Sequence, residues 1–401
     1  MTPLGSIVST HEHELVALRR LLHTQPEASG HEHLTTEIVV ERLRVEGLDP
    51  HVLAIGTGLV CDISLDPAIA PDPRTMPAVA IRADIDGLAM DDLSAAAYRS
   101  RVPGLAHACG HDVHTASVLG AGLALLDMRR TSPQRAMVRL IFEPAEEAVP
   151  GGAVDVVTEG WLRDIRAIFG VHCDPKLDVG RLGLRAGALT SAADQFEITL
   201  RGPGGHTARP RQTIDLVRWT ARIADRLWDA AQARAQEPVI LVFGAVHAGA
   251  AANVIPATAM LRGSFRTADR GTWSIGEQLV SEALADVLAS TDIGDAPDTR
   301  LDYTRGLPPV VNDEGTTALV RDVIVSQFGT EALADTPRSA GGDSFAWYTE
   351  VIPGTYVRLG THDAGSDRPQ LDLHSATFDV DERAIGIGAT LLAACALAAL
   401  A

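Results

Sequence analysis

Ala78-Val79-Ala80-Ile81-Arg82-Ala83-Asp84 is a short apolar run broken only by Arg82 and ending on a carboxylate. A run of this length, rich in β-branched and small residues, reads as a strand buried on both faces rather than as a helix. Similar runs recur at Gly58–Leu65, Ala136–Phe142, Ile165–His172 and Thr355–Leu359, with helical patterns such as His114–Arg129 between them. Strands alternating with helices predict an α/β domain around a largely parallel mixed sheet.

The pattern changes near Ser191. Phe196–Leu200 alternates like a half-exposed strand, and Thr213–Trp228 has helical periodicity. Pro238–Val246 and Ala257–Arg266 read as strands, Gly271–Leu288 as a helix and Thr299–Tyr303 as a strand. The order βαββαβ is that of a ferredoxin-like α+β module. A helix at Gly315–Phe328 resumes the first pattern. The expected organisation is a discontinuous α/β domain over residues 1–190 and 304–401, interrupted by a smaller domain over 191–303.

A chain of 401 residues suits about two such domains. Its formal charge of −18 argues against a nucleic-acid partner, which needs a basic face. Met1–Arg20 contains no cationic stretch followed by an apolar one. The apolar Ala389–Ala401 is shorter than the roughly 20 residues of a membrane span and reads as a buried helix. These features predict a cytoplasmic protein without a membrane partner. In that compartment Cys61, Cys109, Cys173 and Cys395 read as thiols or metal ligands rather than disulfides. Cys61, Cys173 and Cys395 read as packing residues.

Cys109 stands in His107-Ala108-Cys109-Gly110-His111-Asp112-Val113-His114. Thiolate, imidazole and carboxylate in so few residues match the ligands of a borderline-soft ion such as zinc. A His-rich helix-capping loop would read the same way. The loop Glu143-Pro144-Ala145-Glu146-Glu147 follows a strand and offers adjacent carboxylates, one able to bind a metal while the other holds a proton. Alone, it is a solvated acidic turn. His172 at a strand end and His374 in Leu373-His374-Ser375 would each be unremarkable singly. Position joins them: Asp84, Glu146, Glu147 and His172 fall at or beyond the C-terminal ends of expected strands, where open α/β sheets bind ligands. In the inserted module, Gly204-Gly205-His206 exposes a histidine on a glycine turn. Asn253 and Arg266 suit a carboxylate partner, and Arg266 can bind one in bidentate fashion.

These segments together resemble the aminoacylase-like dinuclear metallo-amidohydrolases, which include hippurate hydrolase, the indole-acetyl-amino-acid hydrolases and N-acetyl-diaminopimelate deacetylase. The resemblance rests on Arg82-Ala83-Asp84-Ile85-Asp86-Gly87-Leu88, HACGHD at 107–112, EPAEE at 143–147 and Gly170-Val171-His172. It continues through GGHTA at 204–208, NVIP at 253–256 and Leu373-His374-Ser375, in family order over most of the chain. It implies two divalent ions, zinc or manganese, on Cys109, His111, Glu147, His172 and His374, with Cys109 bridging. It implies Glu146 as general base. It also implies an inserted lid and dimerisation domain in a homodimer, where His206 reaches the partner subunit's site and Asn253 and Arg266 bind substrate. The implied reaction converts an N-acyl amino acid, a small-molecule substrate, to a carboxylic acid and a free amino acid.

Related branches carry a His ligand two residues before the Asp84 position. Here Arg82 stands there, so Asp84 is not counted as a ligand. Gly341-Gly342-Asp343-Ser344-Phe345 replaces the Gly-Ser-Glu-Asp-Phe of many relatives, and Arg211 stands where many have His. A metallo-dipeptidase, or hydrolase of amino-acyl conjugates, would use the same site. A non-catalytic binding protein of this fold would be expected to have lost the base or a ligand. A redox role for Cys109 lacks a CxxC pair.

Overall fold

The computed structural model describes residues 3–289, 292–365 and 370–401. They form two compact units: Met1–Leu189 with Val311–Pro337 and Asp343–Ala401, and Thr190–Val310 with Arg338–Gly342.

The first unit is built on an 8-stranded mixed sheet. Its order is His51–Val52, Leu59–Ser64, Met137–Glu143, Ala78–Asp84, Ile168–Asp178, Gly354–His362, Leu182–Leu184 and Leu333–Asp335. The central pairings, from Met137–Glu143 through Ala78–Asp84 and Ile168–Asp178 to Gly354–His362, are parallel. Every residue of Ala78–Asp84 and Met137–Glu143 is buried, as strands covered on both faces must be. Polar side chains there can persist only with partners.

Helix His111–Arg129 is buried on nearly every side, so its sequence carries no clear polar stripe. It packs against the C-terminal helix Arg383–Leu400. That helix is longer than the sequence reading gave. Its 18 residues and mean hydropathy of 1.8 would suit a membrane span by length and composition, yet 61% of it is buried inside the fold.

The second unit carries a four-stranded sheet ordered Val239–Ala248, Thr258–Thr267, Ala193–Arg201, Asp298–Leu307, with all neighbours antiparallel. Helices Leu216–Arg234 and Gly276–Leu288 bury Leu216, Trp219, Ile223 and Leu227, and Leu279, Val280, Ala283 and Val287. These i, i+3, i+4 stripes close on Phe196, Ile198 and Leu200, alternate residues of the middle strand. Asp215 caps the first helix by accepting the Val217 and Arg218 N–H groups.

Several boundaries differ from the sequence reading. Helix His111–Arg129 begins three residues early because Gly110 turns the chain at φ 88°. The strand expected to end near His172 continues to Asp178, paired with Gly354–His362. The helix expected over Gly271–Leu288 is broken at Ile275 into Arg270–Ser274 and Gly276–Leu288, the first piece capped by Asp269. The last strand of the second unit runs to Leu307, beyond Tyr303.

Candidate metal centre

The parallel strands present a polar row on one face of the sheet. Asp84 is in register with Glu143, Arg82 with Gly170, and His172 with Arg358. Cross-strand partners share a face, so Arg82, Asp84, Glu143, His172 and Arg358 leave the sheet on one side. The loop after Glu143 turns sharply, with Ala145 at φ 54°, and delivers Glu146 and Glu147. Gly110 turns Cys109 and His111 toward the same rim. A Cβ at Gly110 would lie 2.6 Å from Cys173 Sγ, so no side chain fits there. His374, itself at φ 60°, is tied in by donating its N–H to the Ala108 carbonyl at 2.9 Å.

Donor atoms converge in two groups that share Cys109: Cys109, His111 and His172, and Cys109, Glu147 and His374. Within each, the atoms lie within 4.8 Å of one another. Cys109 Sγ is 3.6 Å from His172 Nε2, and Glu147 Oε1 is 3.4 Å from His374 Nε2 and 3.9 Å from His111 Nε2. The ring orientations are fixed from behind. His111 Nδ1 lies 2.9 Å from the Asp86 carbonyl and 3.0 Å from Asp86 Oδ1, and His172 Nδ1 lies 2.8 Å from the Cys173 carbonyl. Each Nδ1 donates to these oxygens, which aims Nε2 at the cluster.

This donor set fits a cation. His111 Nε2 and Glu147 Oε1 are buried without a hydrogen-bond partner, which is costly unless something else meets them. Burial pushes the Cys109 thiol far up, so it ionises only with a positive charge against it. For His111, burial opposes the charged ring, but Asp84, Cys109 and Asp86 raise its pKa well above the usual value. His172 is held well below its usual range by burial and by Arg358.

Glu146 sits beside this group. Its Oε1 accepts the Ser344 N–H at 3.1 Å and its Oε2 is 4.0 Å from His111 Nε2. Burial, then the Asp343 and Glu147 carboxylates, hold its pKa well above the usual carboxylate range. A carboxylate so placed binds a proton more readily than one in water, which suits a group that takes up a proton and hands it on.

Three residues that the sequence reading left without a role support these. Asp86 takes the Glu147 N–H at 3.0 Å and the Ser29 hydroxyl at 2.7 Å with the carboxylate that also meets His111. His114 links Asp84, 2.5 Å from its Nδ1, to the Cys173 N–H, which donates to its Nε2 at 2.8 Å. Arg82 donates to Asp84, Glu143, Tyr356 and Ser344. The i, i+2 spacing of Arg82 and Asp84 on one strand was a signal that both face one side. Asp84 has one oxygen against Arg82 and the other against His114, and with His111 and His114 it forms a further buried group of donor atoms.

In the second unit, Gly205–His206 pairs with Val254–Ile255, bringing His206 beside the Asn253 turn. Thr207 N–H donates to the Asn253 carbonyl at 3.4 Å, and both turns are exposed. Arg266 stands apart on the Thr258–Thr267 strand and donates to the Ala340 carbonyl at 2.8 Å.

Residues 80–398 match the family described as Peptidase family M20/M25/M40. The chain is 33% identical over 380 residues to an N-acetyl-L-cysteine deacetylase of Bacillus subtilis, covering 94% of this chain and 86% of that protein. It is 42% identical over 385 residues to a Rhodococcus jostii protein bearing the name of a glutamate–cysteine ligase, but it spans only 46% of that protein's length. Among solved structures, a dinuclear metal-binding peptidase of the M20 family from Bacillus subtilis superposes with a TM-score of 0.81 at 29% identity, covering 97% of this chain and 98% of that one.

Proposed function

Starting from the fact that the chain belongs to peptidase family M20/M25/M40, we propose that it hydrolyses the amide bond of N-acyl amino acids with the aid of two divalent metal ions. The products are a carboxylic acid and a free amino acid. The observation that carries this reading is the pair of buried donor groups sharing Cys109, with the proton-accepting Glu146 beside them.

Cys109, His111, Glu147, His172 and His374 would hold the ions, zinc or manganese. Bound there, the ions would polarise the acyl carbonyl and make water a better nucleophile near neutral pH. Glu146 takes the proton of the attacking water on its carboxylate and passes it to the leaving amine nitrogen as the C–N bond breaks. Its Ser344 N–H contact holds the carboxylate in one orientation. Asp86 and the Cys173 carbonyl orient the His111 and His172 rings. We further read the second unit as a ferredoxin-like lid and homodimerisation domain in a cytoplasmic enzyme. His206, Asn253 and Arg266 are its candidate substrate-binding residues.

The test is amine release by metal-loaded protein from a panel of N-acyl amino acids, with free dipeptides alongside. The reading predicts turnover of N-acyl amino acids. Turnover confined to dipeptides would replace it with a dipeptidase, and no turnover with metal bound would remove it.

A further inference from the structure

Arginines that this fold withdraws from water are held by acceptors. Arg19, Arg82 and Arg139 are buried and ion-paired. The half-buried Arg42, Arg129 and Arg266 donate to Glu46 and to the Ser64 and Ala340 carbonyls, and Arg270 is likewise engaged. Arg358 is the exception among the described residues. It is half-buried, with no hydrogen bond to, and no carboxylate within 4.0 Å among, the described residues. Partial desolvation of an unpaired guanidinium is unfavourable, and a fold built around it needs a reason.

Its position supplies one. Arg358 is in parallel register with His172, so the two side chains leave the sheet on the same face and at the same level. The Arg358 guanidinium carbon is 6.0 Å from the centre of the Tyr356 ring, and that ring meets the His172 ring edge-on at 5.9 Å. The guanidinium charge is felt at both His172 and Asp343. Among the described residues it is therefore a cation beside the candidate metal centre, on the rim of the sheet, whose donor fork meets no acceptor.

We propose that Arg358 is a specificity-determining residue whose guanidinium receives a carboxylate of the substrate beside His172. The inference rests on the amidohydrolase reading above for the word substrate, and on the register and the missing partner for the site. A planar fork binds a carboxylate through two parallel hydrogen bonds, which a neutral group cannot reproduce. The carboxylate is either the α-carboxylate of the amino acid or the far end of a dicarboxylic acyl group.

The experiment compares wild type with Arg358→Met and Arg358→Lys on two matched pairs built on one amino acid. One pair is the N-acetyl amino acid and its carboxamide. The other is the N-succinyl and N-butanoyl derivatives. In wild type one carboxylate-bearing member is expected to exceed its neutral partner about 10- to 100-fold in kcat/KM. Arg358→Met is expected to erase that preference mainly through KM, and Arg358→Lys to keep part of it. Loss in the first pair assigns the α-carboxylate, and loss in the second the acyl end. If both preferences survive in Arg358→Met, the proposal is overturned. It is also overturned if only kcat and the thermal midpoint fall, since the guanidinium then merely balances Asp343. Calorimetric binding of the same compounds to metal-loaded Glu146→Gln, with and without Arg358→Met, reads the preference without turnover. An absence of hydrolysis by wild type would therefore remove the amidohydrolase reading while the binding data still decide Arg358.

Discussion

Asp86 holds His111 by two contacts at once, its Oδ1 at 3.0 Å and its carbonyl at 2.9 Å from the ring Nδ1. The other carboxylate oxygen takes the Glu147 N–H at 3.0 Å. One buried residue thus aligns two candidate ligands. Asp86→Ala is expected to weaken divalent-metal affinity about 10- to 100-fold. A competition titration of stripped protein against a chelating dye measures it, and unchanged affinity would take Asp86 out of this role.

Glu146→Gln keeps the shape of the side chain and the acceptor for the Ser344 N–H but removes the proton-accepting carboxylate. It is expected to lower kcat about 10²- to 10⁴-fold while the metal content stays that of wild type. Turnover paired with elemental analysis separates the two quantities. A variant that had lost its metal would place Glu146 among the ligands instead.

Gly110→Ala meets two obstacles: a backbone at φ 88° and a Cβ 2.6 Å from Cys173 Sγ. A loss of about 1–3 kcal/mol in stability is expected by denaturant unfolding. Cys173→Ala added to it should recover only part, because the backbone conformation remains unfavourable. Wild-type stability in Gly110→Ala would show that the loop relaxes freely.

His23 lies buried with Nδ1 2.8 Å from Asp112 and Nε2 3.4 Å from Asp92. Burial disfavours the charged ring, but Asp112 and Asp92 outweigh it and raise the His23 pKa. Burial would also raise Asp92, yet His23 and the Ser100 and Ser94 N–H groups hold it well below the usual range. The raised histidine contributes stability fully below its unfolded pKa of about 6.5, and this is lost as pH rises through the folded value. The depressed aspartate contributes above about 3.9, and this is lost as pH falls through its folded value. The destabilisation caused by His23→Gln should therefore be largest between about pH 4 and 6.5 and shrink at higher pH. Urea midpoints across that range test it, and a pH-independent difference would mean that His23 stays neutral.

The sequence carried the central strands well, because residues buried on both faces form unbroken apolar runs: Ala78–Asp84 ends where it was expected to end. It misjudged elements whose limits depend on partners elsewhere in the chain. The strand through His172 continues to Asp178 because Gly354–His362 lies alongside it, and no local pattern announces that pairing. In the site, clustered donors such as Cys109-Gly110-His111 were legible as motifs. Asp86 and His114 were not assigned roles, since their importance lies in what they touch across the fold. Arg358 was invisible for the same reason: an unpaired arginine can be recognised only when every potential partner is in view.

Activity at the Cys109 centre should depend on bound divalent metal. The most direct measurement is amine release from an N-acyl amino acid as chelator-stripped protein is titrated with a divalent metal, for wild type and Cys109→Ser. Wild-type activity is expected to climb from near zero and saturate at two ions per chain, and Cys109→Ser is expected neither to reach that stoichiometry nor to recover the activity. Full activity in the stripped protein, or saturation of Cys109→Ser indistinguishable from wild type, would contradict it.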